Sequence, residues 1–196
     1  MGEQKVDQAL VERVQRGDKS AFDVLVRKYQ HKVVQLVSRY VRDHSEAQDV
    51  AQEAFIKAYR ALPNFRGDSA FYTWMYRIAI NTAKNYLVAQ KRRLPNVDID
   101  AQEAEQFEGA TGLKEYATPE RMLLRGEIEQ TIFSAIDQLP EDLKTAITLR
   151  EIDGLSYEEI AQAMECPVGT VRSRIFRARE AIDSKLRPLV QADGTG

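Results

Sequence analysis

The sequence predicts an all-α protein of two small helical domains joined by a flexible acidic linker. Apolar residues recur at helical spacing along most of the 196 residues. No alternating run of β-branched residues is long enough to indicate a sheet. Residues 94–118 interrupt the pattern, because one proline, two glycines and many acids replace the periodic apolar positions. The chain is long enough for two domains that each bury a core.

The first domain is predicted at 7–92 and the linker at 93–118. Its helices are expected near 7–16, 19–42, 45–62 and 69–92. Gly17-Asp18 and the segment from Pro63 to Asp68 separate them. Ser45 and Ser69 are expected N-caps.

The second domain is predicted at 119–190, with a disordered tail from Gln191. Its helices are expected at 119–138, 140–152, 156–164 and 168–187. Thr118-Pro119 and Leu139-Pro140 mark helix starts, and Gly154 is typical of a helix stop.

Residues 154–179 have the pattern of a helix-turn-helix. Ser156 and Glu159 form a capping box that starts its first helix. Glu165-Cys166 forms a short turn, and Pro167 fits the first turn of the second helix. The apolar stripe expected to face the core comprises Val171, Ile175, Ala178 and Ile182.

The other faces of this second helix carry arginines and a phenylalanine. Arginine recognises guanine in the major groove, and phenylalanine packs on a thymine methyl group. Gly169 and Thr170, at the helix N-terminus, suit a phosphate. The pattern therefore indicates binding to duplex DNA. An ordinary helical hairpin with a solvated arginine face is the alternative.

The net charge of −2 conceals two basic patches separated by an acidic segment. Residues 54–93 carry eight bases and one acid, which is +7. Residues 168–187 carry six bases and two acids, which is +4, whereas 94–120 carry seven acids and one base, which is −6. Local patches of this kind, rather than the overall charge, decide nucleic-acid binding.

The first basic patch also contains eight of the sixteen aromatic residues. Basic groups follow phosphates and aromatic rings stack on unpaired bases, so the combination predicts a single-strand surface. Asn81 offers both a donor and an acceptor to a base edge. The alternative is that these aromatics, Phe55 and Phe71 above all, fill the helical core.

Several classes of function lack their signatures. The single cysteine, Cys166, excludes an internal disulfide and fits a reducing cytosol. No apolar run approaches the ~18 residues of a membrane span, and the chain starts without an apolar signal region. No phosphate loop, metal-ligand spacing or nucleophilic triad can be assembled, so we expect no catalytic residue, metal or cofactor.

With these motifs in view, the chain resembles bacterial RNA polymerase sigma factors of the extracytoplasmic-function group, sigma-E type. The matching runs are DVAQEAFIKAYR at 49–60, FRGDSAFYTWMYRIAINTAKNYL at 65–87, LPEDL at 139–143 and the helix-turn-helix from Gly154. The resemblance covers about residues 7–190. It implies a factor that binds core RNA polymerase and directs initiation at promoters of envelope-stress genes.

The resemblance implies two roles for the first domain. Asp49, Gln52 and Glu53 would bind the clamp helices of the polymerase β′ subunit, although acids early in a helix also complement its dipole. The domain would also melt the −10 promoter element and hold its non-template strand, with a flipped base captured by the loop at 63–69. The residues expected to face that strand are Lys57, Arg60, Phe65, Tyr76, Arg77 and Asn81.

The second domain would recognise the −35 element as duplex and meet the polymerase β flap. The residues expected to recognise bases are Arg172, Ser173, Phe176 and Arg177. Those expected to contact or support the DNA backbone are Arg150, Gly169 and Thr170. The acidic linker would pass through the RNA exit path.

The resemblance also implies regulation by an anti-sigma factor, usually membrane-bound and gripping both domains. The chain would then be cytoplasmic, held at the inner membrane through that partner without inserting itself. Two other functions use parts of the same sequence. A dimeric helix-turn-helix regulator would need only residues 154–179, and a nucleic-acid enzyme would need a metal or nucleophile site that the sequence lacks.

Overall fold

The computed structural model describes residues 2–93 and 119–192. The regular secondary structure in these ranges is helical and contains no strand, which confirms the all-α prediction. The segment predicted as a linker lies outside the described residues, except for Arg93, which ends a helix. The end of the predicted tail, 193–196, lies outside them as well.

The first domain is built from four α-helices. They are α1 (Gly2–Gln15), α2 (Lys19–Ser38), α3 (His44–Ala61) and α4 (Phe71–Arg93), with a 3-10 turn at Leu62–Asn64 after α3. Helix α1 starts well before the predicted residue 7. Helix α2 ends before the predicted residue 42, because the N–H of Arg39 donates to the Leu36 carbonyl and those of Tyr40 and Val41 donate to the Val37 carbonyl, which closes the helix.

Two predicted N-caps are wrong. Asp43, not Ser45, caps α3, since its carboxylate accepts a hydrogen bond from the backbone N–H three residues on. Helix α4 begins at Phe71, so Ala70 and not Ser69 holds the capping position. Short polar residues are frequent in both loops, and the pattern alone does not single out the one whose side chain turns back to the helix.

The second domain contains α5 (Pro119–Asp137), α6 (Glu141–Glu151), α7 (Tyr157–Met164) and α8 (Val168–Ala192). Pro167 precedes α8 instead of lying in its first turn. Helix α8 also continues through Pro188, past its predicted end at 187 and past Gln191, where a disordered tail was expected. Half-buried Leu186 and Leu189 extend its apolar face, and α5 packs along it. Packing thus outweighs the cost of the proline.

Each domain has an apolar core that fixes the helices carrying the candidate sites. Leu25, Met75 and Ile80 are fully buried in the first, and Ile160 and Ile175 in the second. Burial of each such side chain stabilises the fold by roughly 1.5–3 kcal/mol. Phe55 and Phe71 are also buried, which confirms the expectation that these two aromatics belong to the core.

The described helices offer neither a membrane crossing nor a metal site. None of those in 2–93 and 119–192 combines the length and apolar character that a bilayer span requires. No group of three or more potential ligands in the same ranges is placed to hold a metal ion.

Candidate nucleic-acid interface

The helix-turn-helix is fixed by hydrogen bonds at both ends of α7. Ser156 Oγ accepts from the N–H of Glu159 at 3.1 Å, and Glu159 Oε2 accepts from the N–H of Ser156 at 2.8 Å. This confirms the predicted capping box. At the other end, Glu165 adopts a left-handed conformation with φ 50°, and the N–H of Cys166 donates to the Ala161 carbonyl at 3.1 Å. The turn therefore sets the angle at which α8 begins.

Helix α8 separates a buried face from a polar one. Val171, Ile175 and Ala178 are buried as predicted, and Ile182 is partly buried against the same core. The opposite face exposes the four residues expected to recognise bases, namely Arg172, Ser173, Phe176 and Arg177. Phe176 is 62% exposed. Core packing therefore does not explain this phenylalanine, whereas a hydrophobic contact to DNA would.

The three residues expected to support DNA binding lie beside this face. Arg150 Nη1 donates to the Leu155 carbonyl at 2.8 Å, and its guanidinium lies 4.7 Å from the centre of the Tyr157 ring. It therefore braces the start of α7. Gly169 is exposed and Thr170 half-buried, both in the first turn of α8, where a helix has N–H groups without intrahelical partners.

The loop before α4 is held in place by an aromatic cluster. The rings of Phe65 and Trp74 are 4.8 Å apart, and those of Phe71 and Trp74 are 5.9 Å apart. Gln15 Nε2 donates to the carbonyls of Leu62 and Phe65, each at 3.0 Å. Trp74 is buried rather than lying at the border of two faces, because these rings enclose it.

A pocket of about 430 Å³ opens beside this cluster. Its walls are formed by the loop and α4, and on one side by α7; the residues that line it are Asn64, Phe65, Arg66, Asp68, Ser69, Thr73, Trp74, Arg77 and Gln162. Its volume lies within the range of small-molecule pockets. The mixture of aromatic, basic and amide groups suits a base together with its phosphate.

Helix α3 exposes the residues predicted to bind polymerase next to two that were predicted to bind DNA. Asp49, Gln52 and Glu53 are exposed, as are Lys57 and Arg60. Glu53 Oε1 lies 3.1 Å from Lys57 Nζ, so the two surfaces adjoin. The helix dipole acts mainly within the first turn, and Gln52 and Glu53 lie beyond it. Dipole compensation therefore does not account for them.

The other residues predicted to face the −10 strand lie where α4 packs against α7. Asn81 Nδ2 donates to Glu165 Oε2 at 3.2 Å, and Arg77 Nε lies 3.9 Å from Glu165 Oε1. Tyr76 is 3% exposed, and this burial raises the pKa of its hydroxyl. In this arrangement these three side chains face the second domain instead of open solvent.

Further contacts across the same interface were not anticipated from the sequence. Arg39 Nη2 lies 3.4 Å from Asp153 Oδ2, and both side chains are largely buried. Burial lowers the pKa of the Arg39 guanidinium, although the Asp153 carboxylate partly offsets this. Burial likewise raises the pKa of Tyr40 to about 12. The available signal was the charge balance of residues 54–93, which carry eight bases and one acid, and it does not extend to Arg39 or Tyr40.

Comparison with known proteins places both domains in one family. The description Sigma-70 region 2 matches residues 25–93, and Sigma-70, region 4 matches residues 129–182. The RNA polymerase sigma-H factor of Pseudomonas aeruginosa is 70% identical over 188 residues, covering 96% of this chain and 97% of that one. The ECF RNA polymerase sigma-E factor of Escherichia coli K12 is 67% identical over 191 residues, covering 97% and 100%.

A solved structure shares the fold. The sigma factor RpoE of Bartonella quintana, crystallised with the anti-sigma factor NepR, is 23% identical with a TM-score of 0.66 and covers 85% of this chain and 96% of that chain. The two matched regions, together with 67% identity to a sigma-E factor over 97% of this chain, show the family. The chain belongs to the extracytoplasmic-function RNA polymerase sigma factors, which are non-catalytic transcription initiation factors.

Proposed function

We propose that this sigma factor recognises the −35 element as duplex through α8 and melts and holds the −10 element through its first domain, at promoters of envelope-stress genes. The observation that carries the proposal is the exposed face of α8. The opposite face of α8 is buried in the core, and the capped helix α7 fixes the start of α8. The exposed arginines and Phe176 are therefore held rigidly in position to enter a major groove.

The first domain supports the −10 role by chemistry that a duplex-only protein does not need. Lys57 and Arg60 are exposed beside a loop whose aromatic pocket has the size of a ligand site. Extrusion of a base costs a few kcal/mol, and stacking and edge contacts offset it. This pocket also favours a sigma factor over a dimeric helix-turn-helix regulator, which is the second function considered for residues 154–179.

The partners follow from the same surfaces. Asp49, Gln52 and Glu53 are exposed and would meet the clamp helices of β′, while the second domain would meet the β flap. The Bartonella relative was crystallised with an anti-sigma factor. We therefore propose such a partner for this chain, a membrane-bound protein that holds the cytoplasmic sigma factor at the inner membrane.

Run-off transcription tests the proposal. The protein is combined with core RNA polymerase on a promoter used by E. coli sigma-E, and on versions that lack the −10 or the −35 element. Transcripts that require polymerase and both elements are expected. Tight duplex binding without core, together with no transcript when core is present, would contradict the proposal and favour a stand-alone regulator.

A further inference from the structure

The loop that carries Phe65 is anchored from one side by the end of helix α1. Gln15 Nε2 donates to the carbonyls of Leu62 and Phe65, each at 3.0 Å. The Leu62 carbonyl also accepts from the N–H of Phe65 at 3.0 Å. The side-chain amide of Gln15 therefore joins the two ends of one turn, and it uses both of its hydrogens to do so.

This anchor reaches the wall of the candidate −10 pocket through Phe65. Within the described ranges, the bond from Gln15 to the Phe65 carbonyl is the one hydrogen bond that joins residues 63–69 to another helix. The ring of Phe65 packs on Trp74 with the ring centres 4.8 Å apart, and both rings line the pocket of about 430 Å³. The place of the Phe65 ring in the pocket thus depends on α1.

Helix α1 is a firm support for the loop, because it is tied into the first domain. Leu10 and Val11 are buried in the core. Asp7 is 2% exposed and accepts hydrogen bonds from Lys28 Nζ at 2.7 Å and from the hydroxyl of Tyr29, both on α2. The face of α1 next to the loop is therefore held in a fixed position.

A second residue on this face of α1 also approaches the loop. Gln8 lies seven residues before Gln15, and residues at this spacing share one side of a helix. Gly67 has φ 78°, a conformation that favours glycine, and a Cβ at this position would lie 3.7 Å from Gln8 Oε1. Helix α1 thus follows the loop from Leu62 to Gly67.

We propose that Gln15 is a positioning residue for base selection in the −10 element. From α1 it fixes the turn at 62–65, and the Phe65 ring then closes one side of the pocket that takes the flipped base. Gln15 acts through Phe65 and does not itself contact the base. This inference rests on the proposed function, because it names a residue that shapes the −10 pocket.

The physical reason is that discrimination between bases needs a pocket wall that does not move. A loose Phe65 ring would follow the outline of any base, so correct and incorrect bases would be accepted alike. A fixed ring instead excludes a base whose outline does not match the pocket. The hydrogen bonds of Gln15 are therefore expected to affect selection between bases more than affinity for the strand.

Gln15→Met tests this role, because methionine has a length and a helix propensity close to those of glutamine but no N–H donor. Gln15→Lys is the rescue variant, since its ammonium group can donate to both carbonyls. Gln35→Met is the matched control, because Gln35 is exposed on α2. Circular dichroism of the full-length variants checks that each keeps the helical content of the wild type.

Run-off transcription with the holoenzyme measures base selection. The templates are the promoter used above with every base placed in turn at each −10 position. At one position, Gln15→Met is expected to lower the ratio of transcription between the best and the worst base about three- to tenfold, a factor of the order that a net hydrogen bond supplies. Gln15→Lys should regain most of this ratio, and Gln35→Met should match the wild type. The added charge of the lysine attracts every sequence alike, so it does not alter the ratio.

Trp74 fluorescence gives a readout of the loop that needs no DNA. Trp74 is the single tryptophan of the sequence and is 8% exposed. A displaced Phe65 ring would admit water to it, so Gln15→Met is expected to emit at longer wavelength and to be quenched more strongly by acrylamide. Gln15→Lys should return toward the wild-type spectrum, and Gln35→Met should show no change.

Unchanged base ratios at every −10 position in Gln15→Met would overturn the inference, even with a lower melting temperature, because Gln15 would then support only the fold. Lower ratios with unchanged Trp74 fluorescence would also overturn it, since Gln15 would then contact DNA directly. Both results leave the proposed function intact. The proposed function fails instead if the wild-type holoenzyme makes no transcript that depends on the −10 element, so the two failures are distinguishable.

Discussion

Arg177 and Arg179 are neighbours on α8 with different surroundings. Arg179 Nη2 lies 2.5 Å from Glu151 Oε1, and this contact raises the pKa of the guanidinium. Arg177 makes no ion pair with any residue of the described ranges and is exposed. Because the guanidinium of Arg177 is not held by an ion pair, it is a better candidate than Arg179 for a contact to the edge of a DNA base.

Arg177→Ala is expected to cost about 1–3 kcal/mol of −35 binding and to relax discrimination at one base pair. The measurement is competition between duplexes mutated at single −35 positions, with the sigma–polymerase holoenzyme. Arg179→Ala is the control and should leave the sequence preference unchanged. Equal weakening on every sequence would make Arg177 a phosphate contact instead.

Asn81→Ala is expected to leave polymerase binding intact and to slow open-complex formation, because the amide can pair with an unstacked base edge. A fluorescent base analogue placed in the −10 element reports melting. Asn85→Ala is the control, since Asn85 lies one turn later on α4 and is exposed. Unchanged melting in Asn81→Ala would remove this residue from strand recognition.

At the scale of elements, the ends of α7 decide how α8 is presented. Ser156→Ala removes a cap whose loss costs about 1 kcal/mol, typically between 0.5 and 2. Urea unfolding should report this loss, and −35 affinity should fall with it. Ser184→Ala is the comparison, because its hydroxyl is exposed and bonds to the Ala181 carbonyl within α8. Equal stability of the two variants would show that the box is dispensable.

The helix ends show which features of the fold can be predicted from the local sequence. The box at Ser156 was predictable because Glu159 stands three residues on and both partners are local. Ser45 was a wrong choice because the carboxylate of Asp43, just upstream, accepts a hydrogen bond from the N–H of Glu46 in the first turn of α3. Helix α8 continues past its predicted end, where Leu186 and Leu189 are half-buried, and α8 as a whole packs against α5, which is a non-local contact.

At the scale of the whole molecule, Arg39 and Asp153 form a largely buried ion pair across the interface between the two domains. Removal of one partner from a buried pair costs about 3–5 kcal/mol when the remaining charge stays buried. Separation of the two domains would instead return Arg39 to water. Separation is therefore the cheaper response to the loss of Asp153.

Asp153→Asn is accordingly expected to increase the radius of gyration without reducing helical content. Scattering and circular dichroism on the same samples check this. Asp23→Asn is the control, because it makes the same change of charge at an exposed site on α2. It should change neither the radius of gyration nor the helical content. A compact Asp153→Asn protein with a lower melting temperature would contradict this prediction. It would mean that the ion pair stabilises two domains that stay packed together.

The sequence by itself determined the helical class, the two basic patches, the capped helix-turn-helix and the family resemblance. All of these depend on spacing and composition within short segments, where periodicity and capping act. Only the tertiary structure decided that Tyr76 is buried, that Trp74 is enclosed by Phe65 and Phe71, and that Glu165 faces Arg77 and Asn81. Those contacts join residues that are distant in the chain, and their energies depend on packing and charge in three dimensions, which no local pattern encodes.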